Sequence, residues 1–412
     1  MRIIDATDRD AVAALASRDA ARNRKVERDA ATIVADVRRE GDRAVIAWTR
    51  KLDDPDCTRI APLSAAALEH GWDATPPHVR KALRLAAANI RKVAAGQVPR
   101  DFTVRVAPGH RIEQRVQPLG RVGCYVPAGR HPLPSTLLMT VIPARVAGVR
   151  DIVVVCPRPA PVVLAAALEA GASEVFAIGG AQAIGALAYG TKSIARVDKI
   201  VGPGNAWVAA AKALVSADCA IDLHAGPSEI VVHSDTGTPE WIAADLLAQA
   251  EHDPNARAIF VTTKRRLADQ VSAAVAAQMP IEGPAAVSIA QNGAIIIARN
   301  RRDAVAIVNR LAPEHLVVDS AANLNQYRAA GTIFVGPWSV QAAGDYCTGS
   351  NHVLPTGGAA RFRGGLSAAD FVRVFSVQTL DARAIRAVGP AAIALAEAEG
   401  LTAHATSVKV RL

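Results

Sequence analysis

No apolar run in these 412 residues approaches the roughly 20 needed to cross a bilayer, although half the residues are hydrophobic. The opening Met1-Arg2-Ile3-Ile4-Asp5 lacks an apolar core and a small-residue cleavage site, so secretion is not expected. Cysteine is scarce: Cys57, Cys124, Cys156, Cys219 and Cys347 are odd in number and form no C-x-x-C pair. That fits a reducing cytoplasm without disulfides. The net charge is +9, but no basic stripe is interleaved with aromatics, which make up 4% of the chain. A nucleic-acid footprint is therefore missing, and the charge reads as a solvated surface that mildly attracts anionic cofactors. The dinucleotide fingerprint G-x-G-x-x-G is absent from every strand-to-helix turn.

What is present is alternation. The first 120 residues are charged and helical in character, with helical apolar spacing at 30–38 and 79–93. From Gly120 onward, β-branched runs at 152–155, 175–178 and 199–201 alternate with alanine-rich stretches at 162–169 and 181–189. The rhythm restarts at 230–232 and continues through 258–261, 294–297 and 332–335. Strands alternating with helices predict βαβ crossovers and parallel sheets. Two strands end alike, Ile200-Val201-Gly202-Pro203 and Phe334-Val335-Gly336-Pro337, which suggests two similar α/β units. The tail from about Ser367 reads as helix, with Gly400 as a stop after 391–399.

Three glycine turns follow strand candidates: Tyr125-Val126-Pro127-Ala128-Gly129, Gly179-Gly180-Ala181-Gln182 and Gly202-Pro203-Gly204-Asn205. Glycine there allows positive φ and close approach to a ligand, though plain turn chemistry explains any one of them. Gln249 and His252 stand three apart on a predicted helix, a spacing that stacks side chains on one face. They are metal ligands or a satisfied polar pair. Pro313 disfavours helix at Ala312, placing Glu314 and His315 in a turn at a strand start. There they suit proton transfer and water activation, or form a surface pair. Asp345 and His352 lie in a polar, glycine-punctuated loop, and Glu399 and His404 bracket the end of the last helix. Gln249, His252, Asp345 and His404 would give a metal N and O ligands without cysteine.

Together these segments resemble the histidinol dehydrogenase family over nearly the whole chain, most densely from Gly120 to Gly358. The resemblance rests on 125–127, 179–184, 197–205, 225–229, 245–252, 309–316, 344–346, 351–356 and 399–404. It implies an α/β fold with two similar, incomplete doubly wound (Rossmann-like) domains and helical N- and C-terminal segments. The implied division is 1–124 with 228–366, then 125–227, then 367–412. It also implies an NAD- and zinc-dependent, four-electron oxidation of histidinol to histidine in a cytoplasmic homodimer. Zinc ligands fall on Gln249, His252, Asp345 and His404, and the acid–base pair on Glu314 and His315. NAD contacts fall on Tyr125, Gln182 and Asn205. Substrate contacts fall on Ser228, His315, His352 and Glu399 together with the zinc ligands, the C-terminal residues acting in the partner subunit's site. The chain departs from the family pattern at Ala128 and His224, where glycine and proline are usual. Those departures keep open a paralogue oxidising another polar alcohol, and a zinc hydrolase is a third reading.

Overall fold

The computed structural model describes residues 1–17, 23–128, 131–223 and 226–412. Its strands in chain order are β1 (Arg2–Asp5), β2 (Phe102–Ala107), β3 (His110–Pro118), β4 (Arg121–Tyr125), β5 (Asp151–Val155), β6 (Glu174–Phe176) and β7 (Lys199–Val201). They continue with β8 (Ala220–Ile221), β9 (Glu229–His233), β10 (Arg257–Thr262), β11 (Ala294–Ile297), β12 (His315–Val318), β13 (Thr332–Val335) and β14 (Val372–Leu380).

Two parallel sheets dominate, ordered β6-β5-β4-β7-β8 and β1-β11-β10-β9-β12-β13. If each unit's strands are counted from its own start, both follow the order 3-2-1-4-5, with β1 added at the edge of the second. This shared order is that of a nucleotide-binding half-fold. It accounts for the two strand rhythms and the repeated Val-Gly-Pro endings in the sequence. Parallel strands must be covered on both faces, and Ile152, Val153, Val154 and Val155 are accordingly fully buried. One face of the first sheet is covered by the helices Gly180–Tyr189 and Ala206–Val215, against which Arg24–Glu40 packs through Ala30, Ile33, Val34 and Val37. The other is covered by Pro134–Val146 and Pro161–Ala170, against which Pro77–Gln97 packs through Leu83, Ala86, Ala87 and Ile90.

Helices between residues 24 and 97 thus add an outer layer to the first unit, while β1 and the helix Arg9–Ala16 join the core of the second. On packing grounds we propose a division different from the expected grouping of 1–124 with 228–366. In it, 24–97 go with the first sheet and only the first 17 residues go with the second.

The end segments are helical as expected and also contribute strands. β2, β3 and β14 form a small antiparallel sheet in the order β14-β3-β2, with Val372 paired to Pro118 and Leu380 to His110. Every residue of β2 is exposed, and β3 alternates charged and apolar residues, so neither carries the buried hydrophobic run that marks the other strands. After β14 come the helices Ala382–Ala398 and Thr402–Lys409, which expose Leu395, Leu401 and Val410.

Candidate active site

The carboxyl edge of the first sheet gathers the three glycine turns. Tyr125 ends β4, and its hydroxyl accepts from the Gly180 N–H at 3.2 Å. Gly202 has φ +111°, and a Cβ there would stand 2.1 Å from the Tyr125 carbonyl oxygen, so only glycine fits. Its main chain is held at both ends: the N–H donates to Asp222 Oδ2 at 2.7 Å, and the carbonyl accepts from Lys212 Nζ at 2.9 Å. Lys212 and Asp222 also pair with each other, both deeply buried. Asn205 caps the next helix by accepting from the Val208 N–H. Gln182 is fully buried; its Nε2 donates to Asp53 Oδ2 at 2.8 Å, and its Oε1 has no partner. Ala128 is partly buried and bridges to Pro132, whereas Gly129 and His224 lie outside the described residues.

The acid–base candidates sit at the opposite kind of edge, the amino ends of the second sheet. α-Helix Arg301–Leu311 stops at Ala312, which is left-handed at φ +50° before Pro313, and β12 begins at His315. Parallel pairing sets His315 opposite Ile230 of β9. The main chain of Glu229 therefore serves both residues: its N–H donates to Glu314 Oε2 at 2.9 Å, and its carbonyl lies 3.3 Å from His315 Nδ1. A proton on Nδ1 leaves Nε2 as the basic atom. Nε2 is buried without a hydrogen-bond partner, 3.5 Å from Asp345 Oδ1. Phe334 stacks over the ring at 6.0 Å, and Gly344 passes under Phe334 where a Cβ would clash.

Electrostatics follow from this burial. Burial pushes the Glu314 carboxyl up to about 7, with His315 pulling it back. Burial lowers His315, but the neighbouring Asp345 and Glu314 carboxylates outweigh it and hold the ring above its ordinary value. Burial raises Asp345, yet His315, His352 and His252 together hold it below the usual range.

Gln341 Nε2 donates to Asp345 Oδ2 at 2.8 Å, and the Asp345 carbonyl faces His352 Nδ1 at 2.8 Å. The Nε2 of His352 is 3.3 Å from Thr136 Oγ1, on the helix Pro134–Val146 that follows β4. The site thus lies between the two units. The predicted helix ends at Ala250 rather than running through His252, because Pro254 disfavours continued helix just before it. Gln249 remains on the helix, fully buried with both amide atoms unpaired, and His252 follows in an exposed turn with its N–H on the Gln249 carbonyl at 3.3 Å. Ser228 is partly exposed, immediately before β9.

Glu399 and His404 are exposed on the C-terminal helices and make no hydrogen bond or ion pair with these groups among the described residues. Nor do the described residues hold any cluster of three or more His, Cys, Asp or Glu set to hold a metal. Gln249, His252 and Asp345 offer an amide oxygen, an imidazole and a carboxylate that could hold a metal with a further ligand. The buried Gln249 amide, which has no partner, fits that use. Cys124 is buried, its thiol pushed up to about 12 by desolvation, and it offers no nucleophile. Sequence reading missed Glu229, Asp53 and the Lys212–Asp222 pair, whose roles depend on contacts between distant segments.

Comparison with known proteins agrees over the full length. The family described as "Histidinol dehydrogenase" matches residues 16–412. The histidinol dehydrogenase of Brucella suis biovar 1 is 46% identical over 400 residues, covering 94% of this chain and 93% of its own. That of Dechloromonas aromatica is 42% identical over 422 residues, covering 99% and 98%. The crystal structure of histidinol dehydrogenase from Elizabethkingia anophelis superposes with a TM-score of 0.95 at 32% identity, covering 100% of this chain and 98% of that one. The chain belongs to the histidinol dehydrogenase family and is an oxidoreductase of histidine biosynthesis.

Proposed function

We propose that the chain oxidises L-histidinol to L-histidine through histidinal, using NAD and zinc, in the cytoplasm. The observation that most supports this is the buried Glu314-His315-Asp345 cluster, in a chain whose Gln249 amide is buried with no partner of its own. Each turnover removes four electrons: the alcohol and one water give a carboxylate, two reduced cofactors and three protons. Zinc, when bound, would orient the substrate's imidazole and amine. Gln249, His252 and Asp345 would hold it, with His404 supplied by a second copy. NAD, when bound along Tyr125, Gln182 and Asn205, would accept hydride.

His315 Nε2 takes the hydroxyl proton of the alcohol. Its Nδ1–H stays on the Glu229 carbonyl, which fixes the ring for that transfer. Glu314, a carboxyl near neutral pKa in a water-poor setting, then takes a proton from the water that hydrates the aldehyde. His352 and Ser228 contact the substrate, with Glu399 reaching in from the second copy. The exposed apolar residues of the C-terminal helices suit a homodimer in which this segment crosses over. Burial of the acid–base pair retains the reactive aldehyde.

A panel of amino alcohols tests the substrate. L-Histidinol is expected to give by far the highest kcat/KM. A better non-imidazole alcohol would select the paralogue reading instead, and turnover without NAD would select a hydrolase.

A further inference from the structure

In a doubly wound sheet, the carboxylate that reads the cofactor ribose usually comes from the loop after the second strand. Here the second strand of the first unit is β5, and the segment after it, Cys156-Pro157-Arg158-Pro159, contains no acid. It carries Arg158 instead, exposed and left-handed at φ +46°. An arginine at this place is the feature that accommodates a 2′-phosphate.

A carboxylate reaches the same edge from elsewhere in the chain. Asp53 lies just past the helix Asp42–Leu52, outside both sheets, and its Oδ2 accepts from Gln182 Nε2 at 2.8 Å. Burial raises its carboxyl above the ordinary value, and the charge of Arg158 acts against that rise. Gln182 is fully buried, so its hydrogen bond anchors the Asp53 carboxylate near the ends of β4, β5 and β6. That is the side of the sheet on which such folds seat the adenosine half of a dinucleotide, away from the switch point between β4 and β7.

We infer that Asp53 is the residue that sets cofactor choice: its carboxylate accepts from the adenosine ribose hydroxyls and offsets Arg158, so that the site takes the 2′-hydroxyl dinucleotide and refuses its 2′-phosphorylated form. The inference rests on the proposed dinucleotide site at this edge. A 2′-phosphate would bring a dianion against Asp53, whereas without Asp53 it would meet Arg158 alone. The choice is therefore made by repulsion as much as by a hydrogen bond.

The test is direct binding of NADH and NADPH to the purified full chain, read by cofactor fluorescence. Asp53→Asn keeps an oxygen for Gln182 while removing the charge, and Asp53→Asn/Arg158→Ala removes both charges. In Asp53→Asn, the preference for NADH over NADPH is expected to fall at least tenfold, part of that through tighter NADPH. In the double variant the NADPH gain is expected to disappear. Equal weakening of both cofactors, or an unchanged ratio in Asp53→Asn with the wild-type melting temperature, would overturn the inference. Failure of the wild-type chain to bind either cofactor would overturn the dinucleotide site itself, a distinct result.

Discussion

The main-chain N–H of Glu229 donates to the side chain of Glu314 at 2.9 Å, tying the first residue of one central strand to the residue just before the next. The Glu229 carbonyl faces His315, so the main chain of one residue orients both members of the acid–base pair. Rigid strand backbone, rather than a loop, sets their aim. Separate roles for the two side chains follow from the different atoms they present.

Glu314→Gln and His315→Asn are expected to separate the two oxidations. General acid–base groups contribute about 10²–10⁴-fold. His315→Asn should lower NADH formation from histidinol by that order, while Glu314→Gln should spare it and lower formation from histidinal. Steady-state rates with each substrate measure this, and equal losses in both halves would refute the division of labour.

The pH dependence has a definite sign. Burial raises both Glu314 and Glu229 to about 7 from a carboxylate's ordinary value. A folded-state pKa above the unfolded one stabilises fully below the unfolded value, near 4.5, and that contribution is lost as pH rises through 7. The metal-free protein should therefore lose melting temperature between pH 5 and 7.5. Glu314→Gln should remove a large part of that loss, with Glu229 retaining the rest. The rate of histidinal oxidation should rise over the same interval as Glu314 becomes a base.

Gln249 gives a prediction of opposite sign for stability and function. Its amide is fully buried and unpaired, a condition that costs about 1–3 kcal/mol. Gln249→Leu should leave the metal-free protein as stable as wild type or more so, and should abolish the rise in melting temperature on adding zinc. Thermal unfolding with and without zinc checks both halves.

Much of this was legible in the sequence, for a physical reason. Strands such as 152–155 and 294–297 are buried on both faces, and uninterrupted β-branched runs announce them. Pro313 placed Glu314 and His315 correctly at a strand start. The antiparallel sheet of β2, β3 and β14 was illegible because its strands are largely exposed and carry no buried β-branched run. The approach of Asp345 to His315 was likewise invisible, since it depends on Gly344 passing beneath Phe334. The 249–252 spacing was visible, but the helix ends at Ala250 and His252 lies in the exposed turn that follows.

The Lys212–Asp222 pair separates positioning from folding. Removing one partner of a buried pair typically costs about 3–5 kcal/mol. Asp222→Ala should therefore unfold at markedly lower temperature. Lys212→Met leaves Asp222 on the Gly202 and Leu223 amides. It should raise the KM for NAD about tenfold, a shift of roughly 1.4 kcal/mol, with kcat little changed. A fall in kcat at constant KM would exclude a role in holding the cofactor turn.

The most direct test of the account is the stoichiometry of turnover by the purified protein with L-histidinol, after metal depletion and after zinc add-back. The account predicts two NADH per histidine formed, lost on depletion and restored by zinc. One NADH per histidinol with the aldehyde accumulating, or undiminished turnover in metal-free protein, would contradict it.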